Sequence, residues 1–302
     1  MNSSRHRSAF RNWSEYAAVR LLLFVLAATP RELALRLAQG MTKLLDVLVP
    51  RLRRTGLENL AFALPHLTAQ QHNAILDGVF RSIARLLVSF SRFPSLNSAN
   101  IGEWISCQGF EHYADGLKLG HGVLFYTAHL GNWELSAFAH ALLARPMHVV
   151  VRPLDNPLID ALAARYRSAS GNHLIGKKEA RPILKALAAN QAVGILADQD
   201  AGIEEGVFVD FFGRQASAHP GFARVAAHSR AAVVPGFALW SEKEARYILK
   251  FYPPVEMTGD AVADTQRLHS HLETVIRQCP DQWLWIHRRW KTQPPLPRLT
   301  VE

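Results

Sequence analysis

From residue 101 onward, short apolar runs alternate with stretches of helical period, and few folds accommodate that alternation. Residues 122–127 (GVLFYT) read as a buried strand, 133–144 as a helix, 148–152 (HVVVR) as a second strand, 173–175 as a third and 192–197 as a fourth. Asp155-Asn156-Pro157 supplies an N-cap and a first-turn proline for a helix expected to end at Gly171, and residues 182–189 form another. Strands too apolar for either side to face water, each followed by a helix, predict an α/β fold: a mainly parallel central sheet with helices on both faces. A loop rich in Phe and Gly over 207–214 precedes a helix at 221–229, strands at 232–239 and 247–252, and a last helix at 265–277.

The first hundred residues differ. Leu33, Leu35, Leu37 and Ala38 lead to Leu44, Leu45 and Leu48, with Gly40 as a break, and Ile75, Val79, Ile83 and Leu86 mark a further helix. Residues 1–54 hold ten Lys or Arg against Glu15, Glu32 and Asp46, a net +7 of the chain's +9. Charge alone does not separate nucleic acid from an anionic membrane surface. The aliphatic runs at 21–28 and 44–49 favour the membrane, and no nucleic acid is expected.

The apolar stretch from Ala17 to Ala28 is interrupted by Arg20 and closed by Thr29-Pro30, well short of the ~20 residues that cross a bilayer. A secretory signal is the competing reading, but Ala27-Ala28-Thr29 before Pro30 makes a poor cleavage site. The expected organisation is a segment of basic amphipathic, membrane-associating helices over 1–54, a helical lead-in over 55–100, and an α/β core with an aromatic and basic tail over 101–302.

In open α/β sheets the working groups gather beyond the carboxyl ends of the strands. Three polar clusters fall there: His129-Leu130-Gly131-Asn132-Trp133-Glu134, Arg152, and Asp198-Gln199-Asp200. Across the bend that Gly131 permits, Glu134 can meet His129. A carboxylate in a first helical turn stays ionised, can hold one imidazole nitrogen as a donor, and leaves the other to take a proton. His129 is thus the expected general base and Glu134 its orienter, with Asn132, Arg152, Asp198 and Asp200 as oxyanion-stabilising, phosphate-binding or substrate-positioning residues. Arg152 suits an oxyanion or a lipid phosphate; the competing reading is an ion pair with Asp198 or Asp200.

Other chemistries lack their residues. No GxSxG elbow and no HExxH is present. The stretch from Gly171 to Lys178 approaches a phosphate loop but has Lys178 where Ser or Thr should bind magnesium, and it contains a strand rather than following one. Cys107 and Cys279 belong to no CxxC or Cys/His cluster.

His129 to Glu134 has the His-x4-acid spacing of glycerolipid-type acyltransferases, and the longer string resembles the bacterial lipid A biosynthesis acyltransferases. The matching residues are Val151-Arg152-Pro153-Leu154-Asp155-Asn156-Pro157, Asp198-Gln199-Asp200 followed by Phe208-Val209-Asp210-Phe211-Phe212-Gly213, Pro235, and Trp283-Leu284-Trp285-Ile286-His287-Arg288-Arg289-Trp290-Lys291. They run in family order over roughly residues 10–295. Asp210 stands where that family usually has Pro, and His219 where Thr is more usual.

The resemblance implies an acyl carrier protein thioester as donor and a membrane glycolipid acceptor bearing sugars and phosphates, the lipid A precursor. It also implies no metal or other cofactor, work at the cytoplasmic face of the inner membrane, His129 as base and Glu134 as its partner. Arg288, Arg289 and Lys291 are expected either to bind lipid phosphate or the acidic carrier protein, or to form a solvated face, with Trp283 and Trp285 covering the core. Two further readings remain open at this point: an acyltransferase of this fold acting on another membrane lipid, such as a glycosylated phospholipid or an amino-acid lipid, and a non-catalytic basic protein binding membrane or nucleic acid. The second would be marked by a broken His/acid pair, which this sequence keeps.

Overall fold

The computed structural model describes residues 8–295. Four helices open the chain: α1 (Ala9–Ala28), α2 (Arg31–Leu48), α3 (Pro50–Ala63) and α4 (Ala69–Arg92). Local chemistry sets their ends. Ser8 caps α1 by accepting from the Arg11 amide, and Thr68 with Gln71 forms a capping box at α4. Pro30 and Pro50 separate the first three, since a proline lacks the N–H that a helix interior requires. The break expected at Gly40 is absent. α2 runs through it, because a single exposed glycine costs a helix only about 1 kcal/mol, less than its neighbours gain by packing. Residue 54 lies within α3, which continues into the lead-in.

The core continues with β1 (Ile105–Gln108), α5 (Phe110–Lys118), β2 (Val123–Thr127), α6 (Trp133–Leu143), β3 (His148–Val151), α7 (Pro157–Arg167), β4 (His173–Gly176), α8 (Ala180–Ala188) and β5 (Ala192–Leu196). It closes with β6 (Val207–Phe211), β7 (Arg214–Ala218), α9 (Gly221–Ser229), β8 (Ala232–Ser241), β9 (Arg246–Phe251) and α10 (Ala261–Gln278). The stretch expected as a loop over 207–214 instead contains a strand and the turn of a hairpin. Phe212 and Gly213 take φ of 58° and 73°, the paired positive angles that a two-residue turn between twisted strands demands, and Asp210 accepts from the Gly213 amide across it.

Seven strands form the main sheet in the order β1-β9-β8-β2-β5-β3-β4. Every neighbouring pair is parallel except β8 with β9, so the mainly parallel sheet is present. Successive strand residues point to opposite faces, and in β2 both faces are buried. Leu124 and Tyr126 join Ile183 of α8, Phe222 of α9 and Leu272 of α10, while Val123 and Phe125 join Ala34 of α2 and Phe138 of α6. α4 contributes to both layers, through Leu76 and Val79 to one and Ala84 and Val88 to the other.

Among the described residues no helix is long and apolar enough to cross a membrane. Most of the large exposed apolar side chains nevertheless lie in α1 and α2 or just after, including Phe10, Trp13, Phe24, Leu44, Val47 and Leu48. One register sets up the chemistry. Thr127, the last residue of β2, pairs with Leu196, the last of β5.

Candidate active site

His129 and Asp198 each stand two residues beyond that final pair, on adjacent parallel strands, and so emerge side by side at the carboxyl edge of the sheet. Nδ1 of His129 donates to Oδ1 of Asp198 at 2.8 Å, and the His129 backbone N–H donates to Oδ2 at 2.9 Å. A third donor is the indole Nε1 of Trp283, 2.9 Å from Oδ2. Asp198 is 3% exposed, so its charge survives only because these donors replace water. Burial opposes its ionisation, but the His129 ring, the Trp283 indole and the His129 amide together hold the carboxyl well below the usual carboxylate range.

Burial likewise disfavours a charged His129, yet the Asp198 carboxylate, with Glu134 acting from farther off, outweighs it and raises the imidazole's pKa. With Nδ1–H committed to Asp198, Nε2 carries the lone pair. The side-chain amide of Gln199 donates to it at 3.2 Å, and the Trp133 ring meets the imidazole edge-on, centroids 5.0 Å apart. The His129 side chain is 18% exposed, enough for a substrate group to reach Nε2.

The bend is built as expected and aimed differently. Gly131 has φ +63°, and a Cβ there would stand 2.0 Å from the Ala238 carbonyl oxygen, so the turn requires glycine. Its backbone donors are engaged: Gly131 N–H with the Gln282 carbonyl and Asn132 N–H with that of Ala238. Glu134, in the first turn of α6, faces α7 and not the imidazole, and its two oxygens accept from Arg167 at 2.6 and 2.8 Å. Glu134 therefore does not hold Nδ1. Asp198 does, because an Arg fork satisfies both Glu134 oxygens and the parallel register brings the other carboxylate into place.

The remaining expected site residues divide. Asn132 is fully buried, caps α6 by accepting from the Leu135 amide and donates to Ser89 Oγ at 2.7 Å, so its amide is committed to structure. Arg152 lies on the surface, 3.7 Å from Asp155, and not against Asp198 or Asp200. Asp200 accepts from the backbone and hydroxyl of Thr292 at 3.1 and 2.8 Å and ties down the tail. Arg288 and Lys291 are exposed, as an anion-binding or solvated role requires.

Arg289 is fully buried and belongs to neither role. It donates to the Ser217 carbonyl at 2.5 Å and to Nε2 of His269 at 3.1 Å. Since His269 donates from Nδ1 to the Thr265 carbonyl, its Nε2 is an acceptor, and burial with the adjacent Arg289 pushes its pKa down to about 3. Trp283, expected to cover the core, does so and also grips Asp198. Gln199 lay inside a matched string without a role assigned to it, and Arg167 carried no signal beyond its charge.

A narrow, mostly apolar cavity runs between the sheet and α6. Thr127 and Trp133 line it on the His129 side, and Ala137, His140, Met147, Gly194, Gly236 and Phe251 are among the other residues that line it. From Trp133 to His140 is two turns of helix, about 10 Å. Among the described residues no three His, Cys, Asp or Glu are grouped to hold a metal ion.

The family described as bacterial lipid A biosynthesis acyltransferase matches residues 1–292. Relatives include the lipid A biosynthesis lauroyltransferase of Escherichia coli, 28% identical over 94% of this chain and 93% of its own length. A lipid A biosynthesis acyltransferase of Haemophilus influenzae is 25% identical over 78% and 74%. The Escherichia coli myristoyltransferase is 24% identical over 80% and 76%.

Proposed function

Since the chain belongs to the bacterial lipid A biosynthesis acyltransferases, we propose that it moves a fatty acyl group from an acyl carrier protein thioester to a hydroxyl of a lipid A precursor. The single observation that carries the reading is the pairing of His129 with Asp198 beside an apolar cavity. Nε2 is left as an acceptor, Trp133 touches both the imidazole and the cavity, and the mostly apolar lining suits a fatty chain in composition.

The acceptor hydroxyl binds at Nε2 in place of the Gln199 amide. Its oxygen attacks the thioester carbonyl while its proton passes to Nε2, and the carbonyl π pair moves onto oxygen. The imidazolium so formed lies against Asp198, which stabilises it and fixes the ring, as a carboxylate does beside any histidine base. Collapse of the tetrahedral species breaks the C–S bond, and the proton on Nε2 goes to the departing sulfur. The ester and the free thiol are the products, and the enzyme returns unchanged.

The N-terminal helices support work at a membrane surface. Phe24 and Leu48 are each 69% exposed, and Arg36, Lys43, Arg51 and Arg54 stand exposed in the same segment. An apolar face with a basic border is what a peripheral helix presents to an anionic leaflet, each cation adding ~1 kcal/mol. We place this face on the cytoplasmic side of the inner membrane.

The test is transfer from acyl carrier protein thioesters of several chain lengths to purified lipid A precursor, read by mass spectrometry. The expected product carries one additional acyl ester, and His129→Ala lowers its rate 10²–10⁴-fold, the usual cost of losing a general base. An enzyme that leaves the precursor untouched but acylates another membrane lipid overturns the acceptor. Wild-type turnover by His129→Ala overturns the base.

A further inference from the structure

The negative oxygen of the tetrahedral species needs a donor of its own. We propose that Gln199 is a catalytic residue that donates its side-chain amide to that oxygen. This role rests on the functional reading just given.

Gln199 is in the right place. Its Nε2 is 3.2 Å from Nε2 of His129, the atom that takes the hydroxyl proton. A hydroxyl arriving there displaces the amide by about its own diameter, and the attacked carbonyl then lies about 3–3.5 Å from the hydroxyl oxygen. A donor next to the base is therefore next to the oxyanion, within rotation of an exposed glutamine side chain.

Several other donors expected at the site are engaged or lie away from it. Asn132 is occupied by Ser89 and the cap of α6, Arg152 lies beside Asp155 on the surface, and the backbone N–H groups of His129, Gly131 and Asn132 serve Asp198, Gln282 and Ala238.

Both neighbours of Gln199 are anchored. The residue before Gln199 is held by His129 and Trp283, and the residue after it by Thr292. Anchoring both flanking side chains limits the ordering that the amide must undergo when the substrate binds, which is what makes an oxyanion donor effective.

An amide also suits the neighbourhood. A lysine or arginine at this place would disfavour the imidazolium that His129 must become, whereas glutamine adds no net charge. Before substrate binds, the same N–H occupies the Nε2 lone pair. It then moves to the oxygen that gains the π pair, and no atom is gained or lost.

The experiment compares wild type, Gln199→Ala and Gln199→Glu in two assays: transfer to lipid A precursor, and release of free thiol from the acyl carrier protein thioester with water as acceptor. Thermal midpoints accompany both. Gln199→Ala is expected to lower kcat on the order of 10²-fold in both assays, with KM for donor and acceptor and the midpoint nearly unchanged. Gln199→Glu is expected to be slower still, with its acid limb moved to higher pH by the carboxylate at Nε2. A Gln199→Ala enzyme with wild-type or higher kcat overturns the role, and a higher value would mean that the amide only blocks the base. A loss confined to KM, or one matched by a lowered midpoint, also overturns it. Wild type that releases thiol but acylates no lipid A precursor overturns the acceptor and leaves Gln199 tested by the thiol assay. Wild type inactive in both removes the function and this role together.

Discussion

Nδ1 of His129 lies 2.8 Å from Oδ1 of Asp198, although 69 positions separate them, because the parallel pairing of β2 with β5 ends in register two residues before each. The carboxylate decides which tautomer the base adopts and how stable its protonated form is. Asp198→Asn keeps the shape, removes the charge and allows the amide to present either end to the ring. Transfer should fall on the order of 10²–10⁴-fold with donor KM little changed. An asparagine enzyme within a factor of three of wild type would falsify the orienting role.

The pH profile follows from the sign of the shift. His129 has a raised pKa, and in the proposed mechanism it acts as the neutral base. The acid limb of kcat/KM should therefore lie above ~6.5, the ordinary histidine value, and move down in Asp198→Asn. Stability runs the other way for the same imidazole: its contribution is present below ~6.5 and lost as pH rises through the raised folded value. Asp198, with its depressed pKa, contributes above ~3.9 and loses it as pH falls. Unfolding measured from pH 3 to 9 should show wild type gaining over Asp198→Asn chiefly between ~4 and ~6.5. A difference that is flat across that range speaks against the pair.

Glu134 serves a different partner and should fail differently. Glu134→Gln leaves the partly buried Arg167 without a counter-charge, at a cost of about 1–3 kcal/mol, and loosens α6 against α7. The thermal midpoint should drop clearly. The acid limb should move only slightly, since Asp198 still holds Nδ1. A midpoint like wild type with a collapsed rate would restore Glu134 as the direct partner.

The cavity makes chain length testable at one position. Ala137 faces it from α6, and leucine there adds bulk without harming the helix. Ala137→Leu should shift kcat/KM toward shorter donors, with rates on the shortest unchanged. An equal loss at every length shows that the chain binds elsewhere.

The proposed membrane face predicts a salt-insensitive and a salt-sensitive component. Replacing Phe24 and Leu48 together by Asp should weaken binding to vesicles containing anionic lipid on the order of 10²-fold. Reversing Arg51 and Arg54 to Glu should remove mainly the part that 0.5 M salt also removes. Undiminished sedimentation of the first variant places the anchor elsewhere.

The parallel sheet was legible because residues 122–127 and 192–197 are apolar on both faces, a pattern that only a covered sheet accommodates. His129 stood out for the same reason, as a polar residue closing such a run. Its partner did not, because periodicity identifies strands without their order, and two other strands separate β2 from β5 in the chain. Asp198 was thus placed on the correct edge with only Arg152 offered as a partner, while the nearer Glu134 was assigned to the imidazole. Arg289 misled in the opposite way: within a basic tail nothing marks which cation turns inward, and its acceptors come from β7 and α10. The hairpin of β6 and β7 passed for a loop because neither strand alternates cleanly between apolar and polar residues, and Gly213 punctuates the stretch.

Trp283 fixes Asp198 from 85 positions farther along the chain. At ~5–20 residues per second, a ribosome delivers that indole roughly 4–17 s after the aspartate it steadies, and far later than α1 and α2. The helices proposed to meet the bilayer are made before the site can be assembled. The order of synthesis thus leaves Asp198 without one of its three donors until the last aromatic segment is made.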